Sequence, residues 1–328
     1  MNYTFTNKRD YIKFLSNLRE GVVGIQSTIY FDDQNNKAIK IFSLEDQNLN
    51  SRKKEAKLKE LMKLENRFPT VALPEAIITC QSKCVGYVMP KLPDAVSLRD
   101  FQFKAKKQQV DLKESLKIAC ELARFIEKLH NEGIIFGDFH SDQFMTRDGK
   151  IYVCDTDTWG FANKGEYYEA DRAGRPEYID PKVRDFSKPD IFITGYTKQS
   201  DYFSLAVVVF EMLVGFNPYD GSYPLVKGYN RPLRALNHIS ILGNHDLKSL
   251  DSFQMKHVAW MSEGLQSDFL QIFEGNKRFN ILPSLENQEK DLKKCRKHQY
   301  YNSSRYSKCP CCRASQDSEA LKEFRNYN

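Results

Sequence analysis

The sequence predicts an α+β protein with a small antiparallel-sheet lobe, a larger helical lobe and a short metal-binding tail. Three observations carry that expectation. Residues 21–89 alternate short apolar runs with polar turns, as paired strands do. From Asp111 onward apolar residues recur at helical spacing, with Leu116, Cys120, Ala123 and Ile126 or Leu129 on one face. Four of the eight cysteines fall at Cys295, Cys309, Cys311 and Cys312, a clustering that favours metal over disulfides. The expected domains are residues 1–90, 91–285 and 286–328.

Bulk properties narrow the function classes. A chain of 328 residues, 41% hydrophobic and 28% charged, suits a soluble globular protein large enough for two lobes. The net charge of +6 is mild and its basic clusters are short, so nucleic acid is not the expected partner. Met1 to Lys13 is polar and charged, unlike a secretory leader. The longest apolar run, Phe203 to Phe216, is interrupted by Glu211 and falls short of the roughly 20 residues of a membrane span. A cytoplasmic protein with reduced thiols and no membrane partner is expected. The sequence does not give the oligomeric state.

The elements follow in order. A short helix is expected over Asp10 to Leu18. Gly21 to Ile41 reads as two strands around the polar turn Asp32-Asp33-Gln34-Asn35-Asn36. Lys40 stands near the end of the second, on an inward-facing position. Ser51 to Phe68 is helical, with Leu58, Leu61 and Met62 on its buried face and Glu55 nearer that face than Glu60. Ala76 to Thr79 and Val85 to Met89 form a hairpin that runs into Met89-Pro90-Lys91-Leu92. Leu98 to Lys107 is a short helix or charged linker. The long helix ends at Gly133, a suitable C-cap residue. Ile134 to Phe136 reads as a buried strand, Asp138 lies in the polar loop that follows, and Ile151 to Cys154 is a strand delivering Asp155. Two carboxylates on neighbouring loop ends, with the Gln143 amide and the His140 imidazole between them, suit a divalent metal and a phosphate.

The stretch Phe136-Gly137-Asp138-Phe139-His140-Ser141-Asp142-Gln143, with Asp155-Thr156-Asp157 after it, resembles the catalytic core of the protein kinase family. Upstream, Gly21-Val22-Val23-Gly24 resembles part of the glycine-rich loop, with Gly24 in register, and Lys37-Ala38-Ile39-Lys40 resembles Val-Ala-Ile-Lys. Downstream, Pro176-Glu177-Tyr178 and the run Asp201 to Pro218 extend the likeness, which covers Gly21 to Arg278. The resemblance implies a two-lobed fold and ATP-dependent phosphoryl transfer with Mg²⁺ or Mn²⁺. It assigns Lys40 to the phosphates, Glu55 to an ion pair with Lys40, and the Met89 to Lys91 backbone to adenine. It makes Asp138 the catalytic base, Gln143 and Asp155 the metal ligands and Asp157 a second carboxylate ligand, and it places His140 beside the γ-phosphate in place of the usual Lys. Gly137 replaces the Arg that receives an activation-loop phosphate. No Ser or Thr lies between Trp159 and Pro181, so switching by Ser/Thr phosphorylation there is not expected. Lys182 replaces the closing-motif Glu and is expected to repel Arg278.

The tail reads Cys295-Arg296-Lys297-His298, ten residues, then Cys309-Pro310-Cys311-Cys312. Two close pairs of soft or borderline ligands suit tetrahedral zinc, held by Cys295, His298, Cys309 and Cys312, with Cys309 and Cys311 able to exchange roles. Four protein ligands leave no open position, so the zinc is structural. The tail resembles a Cys/His knuckle found after the kinase domain in a bacterial branch of the family. The expected function is a protein Ser/Thr kinase. The rivals are a nucleotide-binding pseudokinase or scaffold and a small-molecule phosphotransferase of aminoglycoside-kinase type, whose loop Gly137-Asp138-Phe139-His140 resembles.

Overall fold

The computed structural model describes residues 3–24, 26–44, 47, 51–107, 110–163, 165–188, 190–220, 229–243, 260–297, 301–304 and 312. These fall into two compact units. The first comprises Met1–Ser97 and Asp142–Asp171, the second Leu98–Ser141 and Arg172–Asn328. The first boundary falls after Ser97, and the segment around Asp155 belongs to the first unit.

The first unit is built on a six-stranded sheet. Its strands are β1 (Thr4–Phe5), β2 (Arg19–Val23), β3 (Ser27–Asp32), β4 (Lys37–Phe42), β5 (Ala76–Cys80) and β6 (Lys83–Pro90), in the order β1-β5-β6-β4-β3-β2. All pairs are antiparallel except β1 with β5. The strand expected to start at Gly21 is two strands, β2 and β3, with an irregular register between Glu20 and Val23. Ile39, Ile41, Ile78, Val85 and Val88 form the core of the sheet. Helix α1 (Lys8–Ser16) packs Tyr11, Phe14 and Leu15 against it. Asn7 caps that helix by accepting the Asp10 N–H at 2.9 Å. Gly86 lets β6 approach β4, because a Cβ there would stand 2.2 Å from the Lys40 carbonyl oxygen.

Helix α2 (Ser51–Met62) buries Leu58 and Leu61, the face its periodicity predicts. It ends six residues before Phe68, and a single 3₁₀ turn, Glu65–Arg67, follows. A second, three-stranded sheet, β7 (Val96–Ser97), β8 (Phe144–Arg147) and β9 (Lys150–Val153), holds the end of β9 in place. The hairpin β10 (Phe161–Asn163) and β11 (Glu166–Tyr168) completes the unit.

The second unit is helical. It contains α3 (Leu98–Lys106), α4 (Leu112–Asn131), α5 (Lys198–Val214), α6 (Arg231–Leu236), α7 (Glu263–Phe273) and α8 (Leu282–Asp291). Asp111 caps α4, and Gly133, in the left-handed region at φ +77°, closes it with its N–H on the His130 carbonyl. Leu116, Leu122, Ile126 and Leu129 of α4 are fully buried, worth about 1.5–3 kcal/mol each relative to exposure. Helix α5 is buried on nearly every side, from Phe203 through Val214, and Trp260 lies in the core. A short hairpin, β12 (Leu292–Lys294) with β13 (Tyr301–Ser303), begins the tail. Among the described residues no helix is long and apolar enough to cross a membrane.

Candidate active-site residues

In the first unit, strand register builds the site. Lys40 on β4 stands opposite Tyr87 on β6, so both side chains leave the same face of the sheet. Both are buried. Two residues past the end of β9, Asp155 adopts the left-handed region at φ +66°, a conformation that costs a non-glycine residue of order 1–3 kcal/mol. That turn feeds a 3₁₀ turn, Thr156–Thr158, closed by the Thr158 hydroxyl on the Asp155 carbonyl at 2.9 Å. The result is a convergence of charges. Lys40 Nζ donates to Asp155 Oδ1 and, at 2.7 Å, to Asp157 Oδ1. The Tyr87 hydroxyl donates to the same Asp157 oxygen at 2.8 Å. Burial alone would raise the Asp157 carboxyl, but Lys40, the Tyr87 hydroxyl and Lys57 outweigh it and hold the group below its ordinary value. Burial, reinforced by Asp157, pushes the Tyr87 phenol well up.

Asp155 keeps its other oxygen toward Gln143, whose Nε2 lies 3.4 Å from Oδ2. The Asp155 side chain is 32% exposed, whereas Gln143 is buried. A partly open carboxylate beside an amide fits Mg²⁺, which takes one or two protein oxygens and fills its remaining positions with phosphate and water. No three His, Cys, Asp or Glu side chains cluster into a metal-binding group among the described residues.

In the second unit, the loop after α4 carries Asp138. Its backbone is held from α5: Asp201 accepts the Phe136 N–H at 2.7 Å and the Gly137 N–H at 3.0 Å, and its carboxylate meets His130 Nε2 at 2.9 Å. Among the described residues Asp138 Oδ1 is buried without a hydrogen-bond partner, and His140 Nε2 stands 3.6 Å from it. A positioned carboxylate oxygen with a vacant lone pair can take a hydrogen bond from an incoming hydroxyl.

A family model described as the protein kinase domain matches residues 13–272. The chain belongs to the protein kinase domain family. Among curated relatives of this kinase domain are the cAMP-dependent protein kinase catalytic subunit of Arthrobotrys oligospora and protein kinase C delta type of Homo sapiens. The first is 32% identical over 119 residues, which are 36% of this chain and 21% of the relative. The second is 30% identical over 172 residues, 49% of this chain and 24% of the relative. The cAMP-dependent protein kinase catalytic subunit 3 of Drosophila melanogaster is 32% identical over 107 residues, 32% of this chain and 17% of the relative. Each match therefore spans less than a quarter of the relative's length.

Several sequence expectations change in this kinase domain. Glu55 does not meet Lys40; it pairs with Lys59 at 2.7 Å, one helical turn away. The charged residue α2 buries is Lys57, which donates to the Glu169 carbonyl at 3.1 Å and lies 3.5 Å from Asp171. Asp157, expected as a second carboxylate ligand, accepts from Lys40 and the Tyr87 hydroxyl through Oδ1. Ile134 to Phe136 forms no strand. Lys182 does not repel Arg278: it donates to the Asn276 carbonyl, and Arg278 forms a buried bidentate pair with Asp180 at 2.6 and 2.9 Å. Gly24 donates its N–H to the Ser27 carbonyl at 2.8 Å, closing the β2–β3 turn. Met89 lies within β6 opposite Ala38, and the Lys91 N–H is taken by the Asn36 carbonyl at 3.3 Å. Of the zinc candidates, His298 and Cys309 lie outside the described residues. Cys295 and Cys312 bring their Sγ atoms to 3.8 Å. Two thiolates at about 2.3 Å from a tetrahedral zinc stand about 3.8 Å apart.

Tyr87, Lys57, His130 and Asp180 were not singled out by sequence reading. Lys57 had a signal: it lies four residues before Leu61 and adjoins Leu58 on the buried face.

Proposed function

We propose that this kinase domain transfers the γ-phosphate of ATP to a Ser or Thr hydroxyl of a protein substrate, with Mg²⁺ or Mn²⁺. The observation that carries the reading is the meeting of Lys40 on β4 with Asp155 in the turn after β9, 115 residues apart in the sequence. It joins a phosphate-binding ammonium to a carboxylate fitted for the metal. In this reading Lys40 orients the phosphates and Asp155 with Gln143 holds the cation. Bound Mg²⁺ supplies charge neutralisation on the phosphate oxygens. Asp138 accepts the substrate hydroxyl's proton as the oxygen attacks phosphorus, and ADP leaves with the bridging oxygen. His140 lends a donor, and a full charge when protonated. Asp201 keeps the Asp138 loop in place, so the chain acts by positioning and electrostatics.

The activation segment is not switched by Ser/Thr phosphorylation, a reading supported by its lack of Ser and Thr and by Gly137. Phosphate mapped on Tyr167, Tyr168 or Tyr178 and required for activity would oppose it. The tail holds one structural zinc through Cys295, His298, Cys309 and Cys312, supported by the thiol separation. A cytoplasmic location is supported by the buried, reduced thiols of Cys80 and Cys120.

The test is transfer of labelled phosphate from ATP to the protein and to a lysate, beside Asp138→Asn and Asp155→Asn. Label on Ser or Thr that both variants abolish is expected. Nucleotide binding with no transfer would instead favour a pseudokinase.

A further inference from the structure

Helix α2 brings no carboxylate to Lys40 and buries a cation of its own. Its buried charged residue is Lys57, whose charge reaches Asp157, while Glu55 points to Lys59 on the outer side, where the lysine is 60% exposed. Lys40 is itself buried and needs a fixed counter-charge. Asp155 provides one, yet the same carboxylate is the one fitted for the metal. Asp157 remains. It sits on a 3₁₀ turn anchored by Asp155, and the hydroxyl of fully buried Tyr87 fixes its oxygen on the Lys40 side of the sheet.

We propose that Asp157 is the positioning residue for Lys40, replacing a carboxylate from helix α2, so that the lysine is oriented by the turn following β9. The inference rests on the phosphoryl-transfer reading for the purpose of Lys40, though not for the contact itself. Its consequence is that orienting Lys40 requires no carboxylate from α2. Helix α2 is instead tied to the segment beyond the turn, through Lys57 with Asp171 and Asn163 with Glu60.

Two measurements test it. In transfer assays, Asp157→Asn loses a charge-assisted bond and raises KM for ATP about tenfold or more. Asp157→Glu recovers part of that loss, and Glu55→Gln changes KM and kcat by less than about twofold. In thermal melts, a cycle of Lys40→Met with Asp157→Asn is non-additive, whereas Lys40→Met with Glu55→Gln is additive. A KM unchanged in Asp157→Asn, a Glu55→Gln variant as impaired as Asp157→Asn, or additive melts at 40 and 157 would each overturn the proposal. Wild-type protein that transfers no phosphate, with melts that couple 40 to 157 and not to 55, would sink the phosphoryl-transfer reading and leave the pairing standing.

Discussion

Asp201 offers the sharpest perturbation of the catalytic loop. Its carboxylate accepts two buried backbone N–H groups, from Phe136 and Gly137, and contacts His130. Asp201→Asn preserves shape but replaces one acceptor oxygen with an NH₂ group, so whichever way the amide is turned one loop N–H faces a donor. An unsatisfied buried group costs about 1–3 kcal/mol. Burial pushes the Asp201 carboxyl up against the pull of His130 and the two N–H groups, so removing its charge returns part of that cost and favours the low end. For a domain of this size the loss corresponds to a Tm lowered by roughly 2–12 °C. The effect on transfer is larger, because a displacement of about 1 Å in a catalytic group costs about 100-fold. Calorimetry and labelled-phosphate transfer on the same preparations read both quantities. Asp201→Asn protein with wild-type melting and wild-type kcat would refute the claim that this carboxylate holds the Asp138 loop.

Other predictions concern the second unit. Burial raises the Glu211 carboxyl although Asn217 and Tyr178 donate to it. A raised folded-state pKa gives stability that is complete below the ordinary glutamate value and lost as pH rises through the raised one. The melting-temperature difference between Glu211→Gln and wild type should therefore move in the variant's favour from pH 5 to pH 8, and a difference flat with pH would contradict this. Arg278→Ala leaves Asp180 buried and unpaired and should cost about 3–5 kcal/mol in denaturant titration; a loss below 1 kcal/mol would show the pair to be dispensable. Metal analysis should find about one zinc per chain, and Cys312→Ser protein should lose it to a chelator that spares the wild type. Zinc-free wild-type protein would remove the tail site.

Much of the catalytic apparatus was legible because it depends on local pattern. Lys40 and Asp155 stand in Lys37-Ala38-Ile39-Lys40 and Asp155-Thr156-Asp157, and Asp201 opens the run to Pro218, so each was legible through the resemblance of those short stretches to protein kinase motifs. What was missed depends on long-range register or on backbone conformation. Asp157 meets Lys40 because β4 pairs with β6 in one register and because Asp155 takes a left-handed turn, neither of which spacing reveals. On α2 the periodicity was read from apolar residues alone, which hid Lys57 on the same stripe; a long aliphatic stem can be buried while its ammonium finds partners. The run Ile134 to Phe136 is apolar because Ile134 and Phe136 are buried, yet it is not a strand: the Phe136 and Gly137 N–H groups are given to Asp201, not to a neighbouring strand. The expected clash at Arg278 vanishes because the partner comes from Asp180, two residues before Lys182.

The split of the first unit into Met1–Ser97 and Asp142–Asp171 sets a schedule for biosynthesis. Lys40 is polymerised 115 residues ahead of Asp155 and 117 ahead of Asp157. At about 5–20 residues per second that is a delay of roughly 6–23 s. Throughout this interval β4 can pair with its neighbours, but its ammonium has no counter-charge to accompany it out of water. Final closure of the sheet face around Lys40 therefore waits until the ribosome has passed Asp157, with α3 and α4 of the other unit already made.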